Sequence, residues 1–163
     1  MELSSEDALR LNVLLSNKPQ AIRIDESRMV LYGLTESGEA KIKLNPTGKD
    51  EQYLKKVRET LSTHVTGSPG GYPVYLRRWT RMGQIREDNL DRLLLLGEPE
   101  AVIAVACAKG LNNELAHRAW WALPEPDNAR RMLSNPAVVA GDMGKELAEF
   151  LIDYLHSRPR RRS

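Results

Sequence analysis

Tyr72–Ile85, YPVYLRRWTRMGQI, is the stretch whose reading divides the chain. Pro73 suits a first helical position, where its missing N–H has no intrahelical partner to lose. Tyr72, Tyr75, Leu76, Trp79 and Met82 recur at i, i+3, i+4, i+7 and i+10, which gathers them on one helical face. Arg77, Arg78 and Arg81 fall within about 100° of arc beside that face. The spacing predicts a helix that buries an aromatic stripe, with Trp79 at its middle holding two halves together, and that presents a guanidinium cluster. Before this helix the pattern alternates like strands. After it, the apolar spacing is helical throughout.

Outward toward the N-terminus, Ser4 or Ser5 can cap a helix through about Ser16, with Glu6 and Asp7 in the first turn where the helix dipole favours acids. Leu11, Leu14 and Leu15 face inward in this reading, and Pro19 ends the helix. Three short strands follow at Gln20–Asp25, Arg28–Leu34 and Glu39–Leu44. Ile22 and Ile24 alternate with Arg23 and Asp25, and Ile42 and Leu44 with Lys41 and Lys43. Period two with charges opposite predicts a meander buried on one face, with Glu36-Ser37-Gly38 as a hairpin connection. A second helix, Lys49 to Val65, carries the stripe Tyr53, Leu54, Val57, Leu61 and Val65. Residues 1–66 thus form a small α+β module. Residues 67–71, rich in Gly, Pro and Ser, read as a flexible joint.

Outward toward the C-terminus, Leu96-Gly97-Glu98-Pro99-Glu100 is echoed by Leu123-Pro124-Glu125-Pro126-Asp127, and Glu114-Leu115-Ala116 by Glu146-Leu147-Ala148. The echo predicts tandem helical hairpins over 72–157, each opened by Pro at the first helical position, in a HEAT-like array. The segment Glu100–Lys109 is apolar all round and reads as the most buried helix. Residues 158–163 form a basic tail without apolar partners, expected to be disordered. The fold class is α+β: helix, three-stranded antiparallel meander and helix, followed by the all-α array.

The composition is that of a soluble chain: 41% hydrophobic and 28% charged residues over 163 positions. Nothing approaches the roughly eighteen apolar residues of a membrane span. The first residues are acidic where a signal peptide needs a basic region, so the expected location is the cytoplasm. The formal charge of +2 misleads, because Arg158, Arg160, Arg161 and Arg162 lie in the tail and leave 20 basic against 22 acidic residues in the body. A slightly acidic body lacks the broad footprint of a nucleic-acid binder.

Catalytic and metal chemistry find little purchase. His64, His117 and His156 have no ligand spacing and there is no cysteine pair, whereas a zinc site needs several ligands converging on the ion. His117 reads as a partly buried packing residue. Cys107, the sole cysteine, sits in the apolar run AVIAVACA and reads as a buried small hydrophobe rather than a nucleophile. TGSPGGYP has neither the lysine–hydroxyl pair of a P-loop nor the GxGxxG order. Trp120 and Trp121 diverge by about 100° on a helix, so one indole is free for a groove or partner. Trp121, with Arg77, Arg78 and Arg81, makes up the set of candidate partner- or anion-binding residues. No catalytic residue, cofactor or metal ligand is expected.

GYPVYLRRWTRMGQ, LLLLGEPEAVIAVACAKGL, ELAHRAWWALPEPDNARRML and NPAVVAGDMGKELAEFLIDYL, in that order, resemble the sulfur reduction protein DsrS family, most strongly over residues 71–154. The resemblance implies a cytoplasmic accessory protein encoded with the dissimilatory sulfite reductase machinery of sulfur-oxidising bacteria, acting in expression control rather than as a redox enzyme. It carries over no site residue, and the tail SRPRRRS departs from its pattern. The expected function is non-catalytic and works through a protein partner, in an oligomeric state left open. The alternative is an RNA- or DNA-binding regulatory module using Arg77, Arg78, Arg81 and the tail.

Overall fold

A computed structural model describes residues 2–73 and 90–157. Helix α1 (Ser5–Ser16) starts where the sequence places it: Ser4 is the N-cap, its hydroxyl accepting from the Asp7 N–H at 3.2 Å. Strands β1 (Ala21–Asp25), β2 (Val30–Thr35) and β3 (Gly38–Lys43) form an antiparallel meander in the order β1-β2-β3. The register pairs Ile24 with Leu31 and Leu31 with Ile42. These three share a face, because side chains alternate along each strand. Helix α2 (Asp50–Thr66) lays Tyr53, Leu54, Val57 and Leu61 on that face. Leu14 of α1 lies so close over Gly33 that a Cβ there would meet its Cδ1 at 2.8 Å.

The helical half contains α3 (Leu90–Leu93), α4 (Pro99–Ala106), α5 (Asn113–Ala122), α6 (Pro126–Leu133), α7 (Pro136–Val139) and α8 (Asp142–Ser157). The sequence echo marks real helix starts, since Pro99 and Pro126 both open helices whose N-caps are Glu98 and Glu125. Helices α4 and α5 pack as one hairpin, and α6 packs against α8 with short α7 between. Asn135 caps α7 through its Oδ1, and its Nδ2 reaches the Ala108 and Leu111 carbonyls at 3.4 Å, tying the second hairpin to the first. The fold is α+β with a helical C-terminal region.

Four expectations need correction. The sheet is not buried on one face alone. Ala21 is fully buried in the helical core and Leu34 packs against it, because α5 covers one end of the second face. The segment read as apolar all round stops being helical at Ala106, with Ile103 and Ala104 only half-buried. Cys107 is therefore its exposed C-cap and not a core residue. His117 is exposed as well. Where the 67–71 stretch ends, buried Ser62 accepts from the Gly71 N–H at 2.7 Å, and Glu98 accepts from the Tyr72 N–H at 2.8 Å. Val74–Asn89, with Trp79 and the Arg77, Arg78 and Arg81 cluster, and the tail from Arg158 lie outside the described residues.

One buried carboxylate locks the N-terminal half. Asp7 is 1% exposed. It accepts from the Tyr53 hydroxyl, from the Asn45 N–H at 2.7 Å and from the Asn45 side-chain amide at 2.9 Å. Burial pushes its pKa up, but the hydrogen bonds from Tyr53, then Asn45, outweigh burial and leave it lowered. Burial, then the bond to Asp7, raises that of Tyr53.

Candidate functional site

The seam between the halves is built on Arg23. Its place on β1 opposite Tyr32 brings the guanidinium over the tyrosine ring, 4.8 Å from the centroid. From the other half, Trp121 in the last turn of α5 lays its indole on the same guanidinium at 4.7 Å. Arg23 also donates to the Trp121 carbonyl at 3.0 Å. Glu39 closes the set, accepting from the Trp121 indole N–H at 3.1 Å and lying 3.8 Å from the guanidinium. A cation between two aromatic faces gains about 0.5–1 kcal/mol per face when partly exposed. Trp121, expected to be a candidate for a partner, is therefore half-buried against its own sheet. Its neighbour Trp120 points the other way and meets Phe150 of α8 edge-on at 4.7 Å.

Beside the seam runs a groove of about 350 Å³ along the outer edge of β1. Ile22, Arg23, Ile24 and Glu26 from β1 and the turn after it line it together with Gly97, Glu98, Pro99 and Val102 around the start of α4. Arg58 from α2 and Ala122, Leu123 and Pro124 from the end of α5 complete its lining. Arg58 pairs with Glu26 at 2.5 Å. Glu98 is held by the Tyr72 N–H. The groove thus has apolar walls and a polar rim whose carboxylates already have partners.

A second exposed feature is the C-terminal half of α8. Met143, Gly144 and Leu147 are buried, but beyond Leu147 no residue of the helix is. Ile152 is 55% and Leu155 59% exposed. On a 3.6-residue turn they continue a strip begun by half-buried Ala148. Next to the strip runs an exposed acidic row, Asp142, Glu146, Glu149 and Asp153, with Lys145 and His156 between.

Among the described residues, no three His, Cys, Asp or Glu side chains converge as metal ligands. No described helix is long and apolar enough to cross a membrane. The exposed thiol of Cys107 lies in a shallow depression with Lys109, Arg131 and Asn135. A charged thiol reagent should label the native chain within minutes, and Cys107→Ser should change stability by less than about 0.5 kcal/mol, as for a surface substitution. Slow labelling that follows global unfolding would contradict this placement.

Sequence reasoning found Trp121 but missed Arg23, Tyr32 and Glu39, its partners. No local signal marks them, because they lie on strands 82 or more positions away from the indole. Fold and site together define an α+β chain with a helical-hairpin half, a cation–aromatic seam and two open surfaces. Comparison of the chain with protein-family models, with curated proteins and with solved structures found no match.

Proposed function

We propose that this chain is a non-catalytic accessory or regulatory protein that works by binding another protein. The observation that carries this reading is the uncovered strip on α8, where Ile152 and Leu155 stand more than half exposed next to half-buried Ala148. Exposed large apolar side chains that adjoin one another mark interaction sites more often than isolated ones do. The adjoining acidic row specifies the partner's chemistry: an apolar surface rimmed by Lys or Arg. A second copy is a poor occupant. An antiparallel pairing of two α8 strips sets one acidic row against the other, and like charges across an interface oppose association.

The order of segments that resembles the DsrS family supports a finer reading, an accessory protein of bacterial sulfur oxidation acting in expression control in the cytoplasm. Within it, Arg77, Arg78 and Arg81 are further candidate partner contacts.

The test is affinity capture from an extract of a sulfur-grown sulfur-oxidising bacterium, using the full chain and an Ile152→Asp/Leu155→Asp variant. Both side chains are exposed, so the variant should melt within a few degrees of the parent. It should recover its main protein partner at least tenfold less well. An unchanged partner set overturns the role of α8. Recovery of nucleic acid that falls steeply with salt replaces the reading with a nucleic-acid-binding one.

A further inference from the structure

We propose that the groove along β1 binds an extended peptide segment of a partner protein, which adds to the sheet as a fourth strand. The inference rests on the protein-interaction reading but uses a surface separate from α8, so the two can fail independently.

β1 is an edge strand, since the sheet order is β1-β2-β3. In an antiparallel pair, alternate residues turn their backbone groups toward the partner strand and the others turn away. Two hydrogen bonds fix which is which. The Leu34 carbonyl accepts from Gln20, so Leu34 and Tyr32 point toward β1. The Ile22 N–H donates outward instead, to the Leu94 carbonyl at 2.9 Å. Ile24, two residues on, therefore turns its N–H and C=O to the same outer side. The chain beside Ile22 covers the edge there. At Ile24 no described residue continues that cover with a backbone bond. Ile24 is also among the residues that line the groove.

Gly97 seats the chain before α4 close against Ile24. Its φ is +68°, and a Cβ there would lie 3.0 Å from Ile24 Cδ1 and 3.2 Å from Leu61 Cδ1. A residue with no side chain, free to adopt the left-handed region, allows this close approach. The walls argue for the occupant's chemistry. An unpaired edge N–H and C=O are matched by another extended backbone, as in strand addition. Val102, Ala122, Leu123 and Pro124 offer apolar contact to alternate side chains of that segment. The rim carries Arg23 and Arg58 against Glu26 and Glu98, a balanced set that suits a segment uncharged at its centre.

The experiment selects a phage-displayed library of random linear decapeptides on the full chain and then measures a recovered synthetic decapeptide. Selected sequences should show apolar residues at alternate positions. Amide exchange at Ile24, fast in the free protein, should slow at least tenfold on peptide binding. Ile24→Pro removes an outward N–H without touching the ladder, and Pro124→Asp puts a charge in the exposed wall; each should weaken binding at least tenfold. Ile152→Asp should leave peptide affinity unchanged. Failure to recover any peptide, or a bound peptide that leaves Ile24 exchange unaltered, overturns the proposal; the wild-type exchange measurement decides even if Ile24→Pro misfolds. Partner capture that still depends on Ile152 and Leu155 would then uphold the interaction reading while the groove assignment falls.

Discussion

Asp7→Ala should destabilise the chain by about 3 kcal/mol at neutral pH, because it takes the charged acceptor from the buried Tyr53 hydroxyl and two bonds from Asn45 at once. Removing one acceptor leaves each buried partner with a desolvation cost of about 1–3 kcal/mol. Here the buried Tyr53 hydroxyl loses its carboxylate acceptor and keeps only the Ser4 hydroxyl beside it, and exposed Asn45 loses two bonds, from its backbone and side-chain N–H, that tie it to α1. Tyr53→Phe, which removes one donor and leaves the carboxylate its Asn45 bonds, should cost only about 1 kcal/mol. The pH dependence follows from the sign of the shift. Asp7 titrates lower in the folded chain than its ordinary value of 3.8, so its contribution is present above that value and is lost as pH falls through the folded pKa. The gap between parent and Asp7→Ala, measured by urea unfolding, should therefore be full at pH 6 and shrink below about pH 4. Tyr53 is raised above its ordinary 10.0; its contribution is intact below that value and fades as pH rises through the folded pKa. A gap that stays constant from pH 6 to pH 3 would mean that the Asp7 contribution does not depend on its charge.

Asp7 also shows what a sequence hides. As an acid in the first turn after Ser4 it fits the helix dipole, and that reading is sufficient by itself. Its partners are 38 and 46 positions away, beyond any local pattern. Elements set by local rules were legible: the Ser4 cap, the alternation in β1 and β3, the Tyr53–Leu61 stripe, and the prolines that open α4 and α6. Features set by how elements meet were not. The outer face of the sheet reads as solvated because Arg23, Lys41 and Lys43 are charged, yet Trp121 covers Arg23 from another half of the chain. Cys107 reads as core because its neighbours are apolar, yet the helix ends one residue earlier and turns the thiol out. The groove exists only where β1, α2, α4 and α5 meet, so no single stretch announces it.

The same distinction sets the last expectation, Gly144→Ala. By helix propensity alone this substitution should help, since Ala is favoured over Gly inside a helix by up to about 1 kcal/mol. Gly144, however, lies in the first turn of α8 where that helix crosses α7. A Cβ there would sit 2.5 Å from the Val138 carbonyl oxygen, 2.7 Å from that of Val139 and 2.8 Å from Val139 Cα. These are backbone atoms, so no side-chain rotation relieves the clash and α8 has to move off α7. Overpacking of this kind costs up to about 3 kcal/mol or more, which outweighs the propensity gain and fixes the sign. The melting temperature should fall by roughly 5–10 °C for a chain of this size, whereas Lys145→Ala, one residue on and exposed, should leave it nearly unchanged. Function should follow stability, because Val138 and Leu147, both fully buried, seat the helix that presents Ile152 and Leu155. Displacing that helix should weaken partner capture together with the melting temperature, while decapeptide binding beside β1 persists below the transition. A Gly144→Ala chain as stable as its parent would show that α8 does not rest on α7 as described, and would remove the support for a rigid strip at Ile152 and Leu155.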